Sequence, residues 1–150
     1  MVVFTIKGQP MGKQRPRFTN AGNFIRTYTP RKTKDYEKEV EFAYREATKW
    51  VKNWANWDYY PKGDYLCVKI KAYFQIPKNY SKKKKEECLK GKIRPIVKSD
   101  VDNIAKIILD GLSKVAYEDD KQVVDLMVQK YYSEDPRVEV TIYEPWEKEV

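Results

Sequence analysis

Residues 101–115, with the sequence VDNIAKIILDGLSKV, decide the fold. Their apolar side chains recur every three or four residues, which predicts an amphipathic helix with one buried stripe. The stripe consists of Ile104, Ile107, Ile108, Gly111, Leu112 and Val115. On the opposite face Asp102, Lys106 and Asp110 lie four residues apart, so their side chains point in one direction. One side of the helix therefore belongs to the core, and the other presents charges to solvent.

The strand patterns on either side of this helix predict a sheet. Residues 2–7 alternate in the manner of an edge strand, and residues 65–76 place their apolar side chains on one face. Residues 122–132 and 138–144 also have strand patterns and are separated by a turn. We expect these last two strands to pair as a hairpin at the end of the chain.

Two further helices and a turn complete the predicted elements. Residues 33–54 have apolar side chains at helical spacing, with Thr33 as the predicted N-cap, and residues 81–91 form a lysine-rich surface helix that ends at Gly91. Residues 56–64 contain Pro and Gly and predict a turn. We therefore expect residues 1–150 to be one α+β domain, in which a mixed, mostly antiparallel β-sheet packs against helices.

The composition excludes several kinds of chemistry. The 150 residues include no histidine, which rules out Ser–His and Cys–His nucleophiles, imidazole bases and most zinc sites. Cys67 and Cys88 lack the spacing of a zinc site or a disulfide framework, and no stretch predicts a signal peptide or a membrane span, so we expect a cytoplasmic setting. The net charge of +8 favours a polyanionic partner such as nucleic acid, although ribosome-associated proteins are often as basic.

Part of the positive charge lies in one segment near the N-terminus. Residues 11–31 contain Gly and Pro and no acidic residue, which predicts a basic loop or a loose hairpin. The basic residues of this segment are Lys13, Arg15, Arg17, Arg26 and Arg31.

Acidic residues cluster before and after the helix of residues 101–115. Asp100 and Asp102 lie two residues apart, and an extended backbone would turn both carboxylates to the same side, as a hard divalent cation requires. Residues 118–121 form a second cluster, from which Asp120 could complete the site if the next strand packs beside the helix start. Taken alone, Asp102 is an ordinary helix cap, Lys106 an ordinary ion-pair partner, and the second cluster an ordinary solvated loop.

The run from Asp100 to Leu112, followed by residues 118–124, resembles the signature of RusA-type Holliday junction resolvases. That signature is a D-x-D-N-x-x-K-x-x-x-D-x-L helix and then a D-D-x-Q-V strand start. Residues 13–18 and 28–30 resemble segments of phage-borne members, which suggests a phage or prophage origin. The resemblance implies a homodimer that binds four-way DNA junctions and nicks two strands symmetrically, in DNA recombination and repair.

The resemblance also assigns roles to individual residues. Asp100, Asp102 and Asp120 would be the ligands of Mg²⁺, with Mn²⁺ as a substitute, and Lys106 would be the catalytic lysine. The loop length leaves Asp119 as an alternative to Asp120. In a chain without histidine, a metal ion is the obvious route to an activated water, and the basic segment would grip phosphates without reading base sequence.

Two other interpretations remain open at this point. The tripeptide Asp119-Asp120-Lys121 satisfies half of the restriction-type (D/E)xK nuclease pattern, in which Lys121 rather than Lys106 would be essential. The chain could also be a non-catalytic nucleic-acid-binding module, whose carboxylates are caps and solvated loops. Cleavage of a synthetic junction separates the module from either nuclease.

Overall fold

The computed structural model describes residues 1–50 and 60–147, which form a sheet covered by helices on one face. The strands are β1 (Val2–Lys7), β2 (Arg17–Ala21), β3 (Phe24–Tyr28), β4 (Leu66–Gln75), β5 (Val123–Ser133) and β6 (Arg137–Tyr143). The helices are α1 (Arg31–Thr48), α2 (Lys82–Leu89) and α3 (Val101–Leu112), and a short 3-10 turn, Asp120–Gln122, precedes β5.

The main sheet has four strands in the order β1-β6-β4-β5. The β1–β6 and β6–β4 pairs are antiparallel, whereas β4 and β5 run parallel. The predicted α+β fold with a mixed, mostly antiparallel sheet is therefore confirmed. The edge position predicted for residues 2–7 is also confirmed, because β1 pairs only with β6 in the described sheet.

The predicted hairpin between β5 and β6 is wrong. β4 lies between these two strands, and the turn that joins them passes the end of β4, where Gln75 pairs with Ser133. The burial of each strand explains the order. Val138, Val140 and Ile142 of β6 are fully buried, so β6 needs a neighbour on both sides. β5 carries Asp125 among several exposed residues and suits the edge of the sheet.

The core forms where α3 and α1 pack together over the sheet. The predicted apolar face of β4 is confirmed, with Leu66, Val68, Ile70, Ala72 and Phe74 all buried. The predicted stripe is buried as far as Leu112, where α3 ends, whereas Val115 lies beyond the helix and is only partly buried. Gly111 within the stripe allows α1 to approach closely. A Cβ atom on Gly111 would lie 2.9 Å from the Cβ of Val40, so a larger residue there would force the two helices apart.

The start of α1 differs from the prediction. The helix begins at Arg31, with Pro30 at the N-cap, so Thr33 lies within the first turn and is not the cap. The Thr33 side chain is buried, and its hydroxyl has no hydrogen-bond partner in the described residues. α1 ends at Thr48; residues 51–54 of the predicted extension and residues 56–59 of the predicted turn lie outside the described part of the chain.

The two remaining short elements agree with the sequence patterns. The basic segment contains a two-stranded hairpin, β2 and β3, whose residues are all exposed; we call residues 17–28 the basic arm. The lysine-rich helix α2 is capped by Ser81, whose hydroxyl accepts a hydrogen bond from the backbone N–H of Lys84 at 3.2 Å. Gly91 follows this helix with φ +77°, a conformation that favours glycine.

Candidate active site

Two carboxylates stand free at the start of α3. Asp100 is the N-cap residue, with extended backbone angles, and Asp102 lies in the first turn. Both are exposed, and neither side chain caps the helix. Within the described residues the Asp102 carboxylate has no hydrogen-bond or ion-pair partner, so the helix-cap interpretation of Asp102 is wrong. Unpartnered carboxylate oxygens are what a hard divalent cation binds.

A cleft of about 390 Å³ lies beside Asp100, between residues 10–14 and residues 98–103. Its walls are held together by a backbone hydrogen bond of 2.9 Å, from the N–H of Lys13 to the carbonyl oxygen of Asn103. Gly12 is essential to this contact, because a Cβ atom there would lie 2.6 Å from the Cβ of Ser99. The glycine therefore allows the loop to pack against the backbone that carries Asp100.

Lys106 lies one turn further along the polar face of α3 and is exposed. Its ammonium forms no ion pair with Asp102, Asp110 or any other described residue. The interpretation of Lys106 as a structural ion-pair partner is therefore wrong. A lysine without a local partner is available to an external anion such as a phosphate.

Lys13 does not have the free side chain that the sequence analysis expected of a DNA contact. Its ammonium contacts the carboxylates of Glu37 in α1 and of Asp110 in α3, the latter at 3.0 Å. Burial lowers the pKa of Lys13, but hydrogen bonds and charge from the two acids outweigh it and leave the pKa raised. Lys13 thus joins two helices, which leaves its ammonium less available to a phosphate.

The turn that carries the second acidic cluster is built around Gln122, which is buried. Its side-chain oxygen accepts hydrogen bonds from the backbone N–H groups of Glu118 (3.0 Å) and Asp119 (3.2 Å). Its amide group donates to the carbonyl oxygens of Pro61 (2.9 Å) and Asp64 (3.3 Å). The glutamine of the sequence motif therefore fixes the position of the acidic turn.

Asp119 and Asp120 have different roles in this turn. The Asp119 carboxylate accepts a hydrogen bond from the backbone N–H of Lys121 at 3.0 Å, and this bond lowers its pKa. The Asp120 side chain is exposed, and its pKa is raised by a hydrogen bond with Asp119, by burial, and by the charges of Asp119 and Asp110. Asp119 is thus part of the local structure, whereas Asp120 faces solvent.

The three predicted ligands do not converge within one chain. Among residues 1–50 and 60–147, no three acidic or cysteine side chains are grouped so that they could hold a metal ion. Asp120 lies beyond the far end of α3, a helix of 12 residues that spans about 18 Å. The predicted site required the strand after the turn to begin beside the helix start. Instead, Asp120 lies close enough to Asp110 for their charges to interact, and Lys130, near the other end of β5, lies close enough to Asp100 to do the same.

Lys130 is a candidate that the sequence analysis missed. Its ammonium donates to the carbonyl oxygen of Val97 at 2.8 Å. Burial lowers the pKa of Lys130 more than the charge of the nearby Asp100 raises it, so the pKa is lowered overall. Its position in the sheet is unusual for a lysine. Lys130 pairs with the buried Ala72 of β4 and therefore lies on the same face of the sheet as that residue. A lysine there positions the segment leading to Asp100.

The remaining basic candidates lie on or near the basic arm. Arg15, Arg17 and Arg26 are exposed, and the side chain of Arg31 is 93% exposed although it lies 3.7 Å from Asp35. In the hairpin Arg17 pairs with Tyr28, and Arg26 pairs with Thr19. Since directly opposed residues share a face, both arginines point to the same side of the arm.

Comparison with known proteins decides the family. A family model described as "Endodeoxyribonuclease RusA" matches residues 7–143. The chain belongs to the RusA family. It is therefore a Holliday junction endodeoxyribonuclease, a hydrolase that acts on branched DNA. A relative named "Uncharacterized protein YqaN", from Bacillus subtilis (strain 168), is 38% identical over 148 residues, which cover 95% of this chain and 96% of the relative.

Membership of the RusA family settles the two other interpretations, because the chain is neither a restriction-type nuclease nor a non-catalytic module. RusA nucleases generally depend on a divalent metal, and the oxygen-only donor set of Asp100 and Asp102 fits a hard cation. None of the helices in residues 1–50 and 60–147 combines the length and apolarity that crossing a bilayer requires.

Proposed function

We propose that this RusA-family protein is a Mg²⁺-dependent nuclease that works as a homodimer and nicks two strands of a four-way junction symmetrically. One observation carries the proposal: Asp100 and Asp102 present free carboxylates, Asp100 lines a cleft, and Lys106, which is unpaired within the described residues, lies one turn away. The exposed carboxylates leave their oxygens available to a hard cation, and a lysine with no local partner leaves its ammonium available to a phosphate.

In this proposal Asp100, Asp102 and Asp120 bind the metal, which Mn²⁺ could replace. The bound ion supplies an activated water and neutralises charge on the phosphate. Lys106 would place a positive charge beside the phosphate, where negative charge increases as the bond to the 3′ oxygen breaks. Asp120 is preferred to Asp119 because the Asp119 carboxylate is already bonded to the backbone of Lys121.

DNA is held by the basic arm and its flanks in this proposal. Arg15, Arg17, Arg26 and Arg31 are exposed and lie within one segment of the chain, as contacts to successive phosphates require. Such contacts position the junction and do not select a base sequence. The cut is then fixed by the location of the metal site relative to the arm.

The test uses a synthetic four-way junction with each strand labelled in turn. With Mg²⁺ we expect paired nicks at symmetric positions, the same nicks with Mn²⁺, and none with EDTA.

Asp102→Asn should lose cleavage by roughly 10³-fold and still bind the junction, since it removes a metal ligand and no phosphate contact. Asp135→Asn is the matched control, because Asp135 is exposed in the turn before β6. Cleavage that survives EDTA or Asp102→Asn would overturn the proposal.

A further inference from the structure

The segment that leads to the start of α3 carries an aliphatic side chain that extends into solvent. Ile96 is 98% exposed, and its neighbour Val97 is 53% exposed. Burial of a large aliphatic side chain is favourable, so a side chain in this position is available to an apolar ligand. We call residues 94–98 the tip segment.

The backbone of the tip segment is anchored on both sides of Ile96. Before it, the Arg94 guanidinium donates to the carbonyl oxygen of Lys130 at 2.8 Å and lies over the ring of Tyr131, 4.3 Å from its centroid. After it, the carbonyl oxygen of Val97 accepts a hydrogen bond of 2.8 Å from the Lys130 ammonium. Because the backbone is already held, inserting this side chain into a ligand costs little ordering of the chain.

The residues on either side of Ile96 are basic. Lys92, Arg94 and Lys98 are all exposed, and the sequence has no acidic residue from position 88 to position 99. An apolar side chain among cations is complementary to nucleic acid, in which apolar base faces lie between anionic phosphates. The RusA family acts on branched DNA, so branched DNA is the occupant that this chemistry fits.

The tip segment also lies close to the proposed metal site. Ile96 precedes Asp100 by four residues. Even a fully extended backbone would place their Cα atoms no more than roughly 14 Å apart. Successive nucleotides of one DNA strand are spaced by about 3.4 Å, so this distance corresponds to a few nucleotides at most. A strand bound at Asp100 therefore has bases within reach of Ile96.

We propose that Ile96 is a wedge that enters the base stack at the branch point of the DNA and separates two bases beside the strand that is cut. Apolar side chains that insert between base steps unstack them and bend the DNA. Bases at a branch point are less constrained than bases within a continuous duplex, so a wedge favours branched DNA. This inference rests on the proposed function, in which Asp100 marks the cutting site.

A fluorescent base tests the wedge without any measurement of cleavage. 2-Aminopurine becomes more fluorescent when it loses its stacking neighbours, and it is placed at successive positions around the branch point of a four-way junction. With saturating wild-type protein in EDTA, we expect a rise in fluorescence at the positions beside the wedge. Ile96→Ala should bind the junction and lose most of this rise. Ile96→Leu should keep it, because leucine is an aliphatic residue of the same size.

Val3→Ala is the matched control, since it shortens an exposed aliphatic side chain elsewhere. Val3 is 59% exposed on β1, at the opposite edge of the sheet from β5, to which the tip segment is anchored. We expect Val3→Ala to give the wild-type rise in fluorescence. An equal rise with Ile96→Ala, or an equal loss with Val3→Ala, would overturn the wedge.

Affinity and association state give two further readouts. Ile96→Ala should weaken junction binding by roughly tenfold, through the loss of a buried aliphatic contact, and should weaken binding to a continuous duplex much less. An equal loss on both DNAs would overturn the wedge, because the side chain would then contact a groove that both possess. We expect the sedimentation of Ile96→Ala to match the wild type. A smaller species would contradict the wedge and show that Ile96 packs against a second copy.

The same experiment separates the wedge from the proposed function. A wild-type protein that raises the fluorescence through Ile96 but never nicks the junction in Mg²⁺ would refute the proposed function and support the wedge. A protein that nicks the junction with no rise that depends on Ile96 would support the proposed function and refute the wedge.

Discussion

The two ends of α3 are built in different ways. At its start, the carboxylates of Asp100 and Asp102 make no side-chain cap, and the close contact at Gly12 holds the backbone beneath them. Beyond its far end, the side chain of Gln122 makes four hydrogen bonds and Asp119 is bonded to the backbone. The start is free to bind a ligand, whereas the far end is a rigid support for one exposed carboxylate. In the proposed function these two ends contribute to one site.

The largest expected effect concerns the two lysines near these ends. Lys106→Met should lower cleavage of a four-way junction by roughly 10²–10³-fold, because a preorganised positive charge is lost at the phosphate. Lys121→Met is the matched control in the acidic turn, and we expect it to cleave normally. Single-turnover rates with saturating protein measure both. A larger loss of cleavage for Lys121→Met than for Lys106→Met would place the catalytic lysine beyond the far end of α3 and contradict this comparison of the two ends.

The next effect tests the packing beneath the free carboxylates. Gly12→Ala should destabilise the fold by about 1–3 kcal/mol, because its Cβ would lie 2.6 Å from the Cβ of Ser99. Ser99→Gly removes the atoms that it meets and should recover part of the loss when the two are combined. Urea unfolding of the two single variants and the double variant gives the coupling energy. Additive effects would show that this contact does not support the start of α3.

The support at the far end predicts a smaller effect. Gln122→Ala removes four hydrogen bonds and should cost about 1–3 kcal/mol in the free energy of unfolding. Gln122→Glu keeps an acceptor for the two N–H groups, but it buries a charge against the carbonyl oxygens of Pro61 and Asp64, so its loss should be at least as large. We also expect Gln122→Ala to need more Mg²⁺ for half-maximal cleavage, since Asp120 is less well positioned. An unchanged Mg²⁺ concentration for half-maximal cleavage would show that Gln122 does not position a metal ligand.

The smallest effect separates Lys13 from the arginines of the basic arm. Arg17→Ala with Arg26→Ala should reduce the salt dependence of junction binding by about two phosphate contacts. Lys13→Met should keep the salt dependence and lower stability, because the carboxylates of Glu37 and Asp110 lose their partner. Binding titrations at several salt concentrations measure the slopes. A lower slope for Lys13→Met would restore it as a DNA contact.

The fold could be predicted where the apolar pattern within one segment shows which of its side chains are buried. The stripe of α3 and the alternation of β4 identified both elements, because each repeats the period of its structure. The order of β5 and β6 was not predictable, since a short turn between strands does not show whether a third strand lies between them. Burial of Val138 and Val140 settles that order, and it depends on the whole sheet.

For the candidate site, the sequence motif supplied the residues to test but not their geometry. The motif identified Asp100, Asp102 and Asp120, but their spacing along the chain does not show which end of α3 the turn approaches. The ion pairs of Lys13 with Glu37 and Asp110 join three separate segments, so the sequence did not show them. The positive charge of its own segment therefore suggested a DNA contact for Lys13. The choice between Asp119 and Asp120 needed the hydrogen bond to Lys121.

A crystal of the Lys106→Met protein grown with Mn²⁺ tests the central claim most directly, because the anomalous signal of the ion locates it independently of any activity. We predict a peak that is bonded to Asp100, Asp102 and Asp120. A peak bonded to Asp110, Asp119 and Asp120 of a single chain, with Asp102 unbound, would contradict the account.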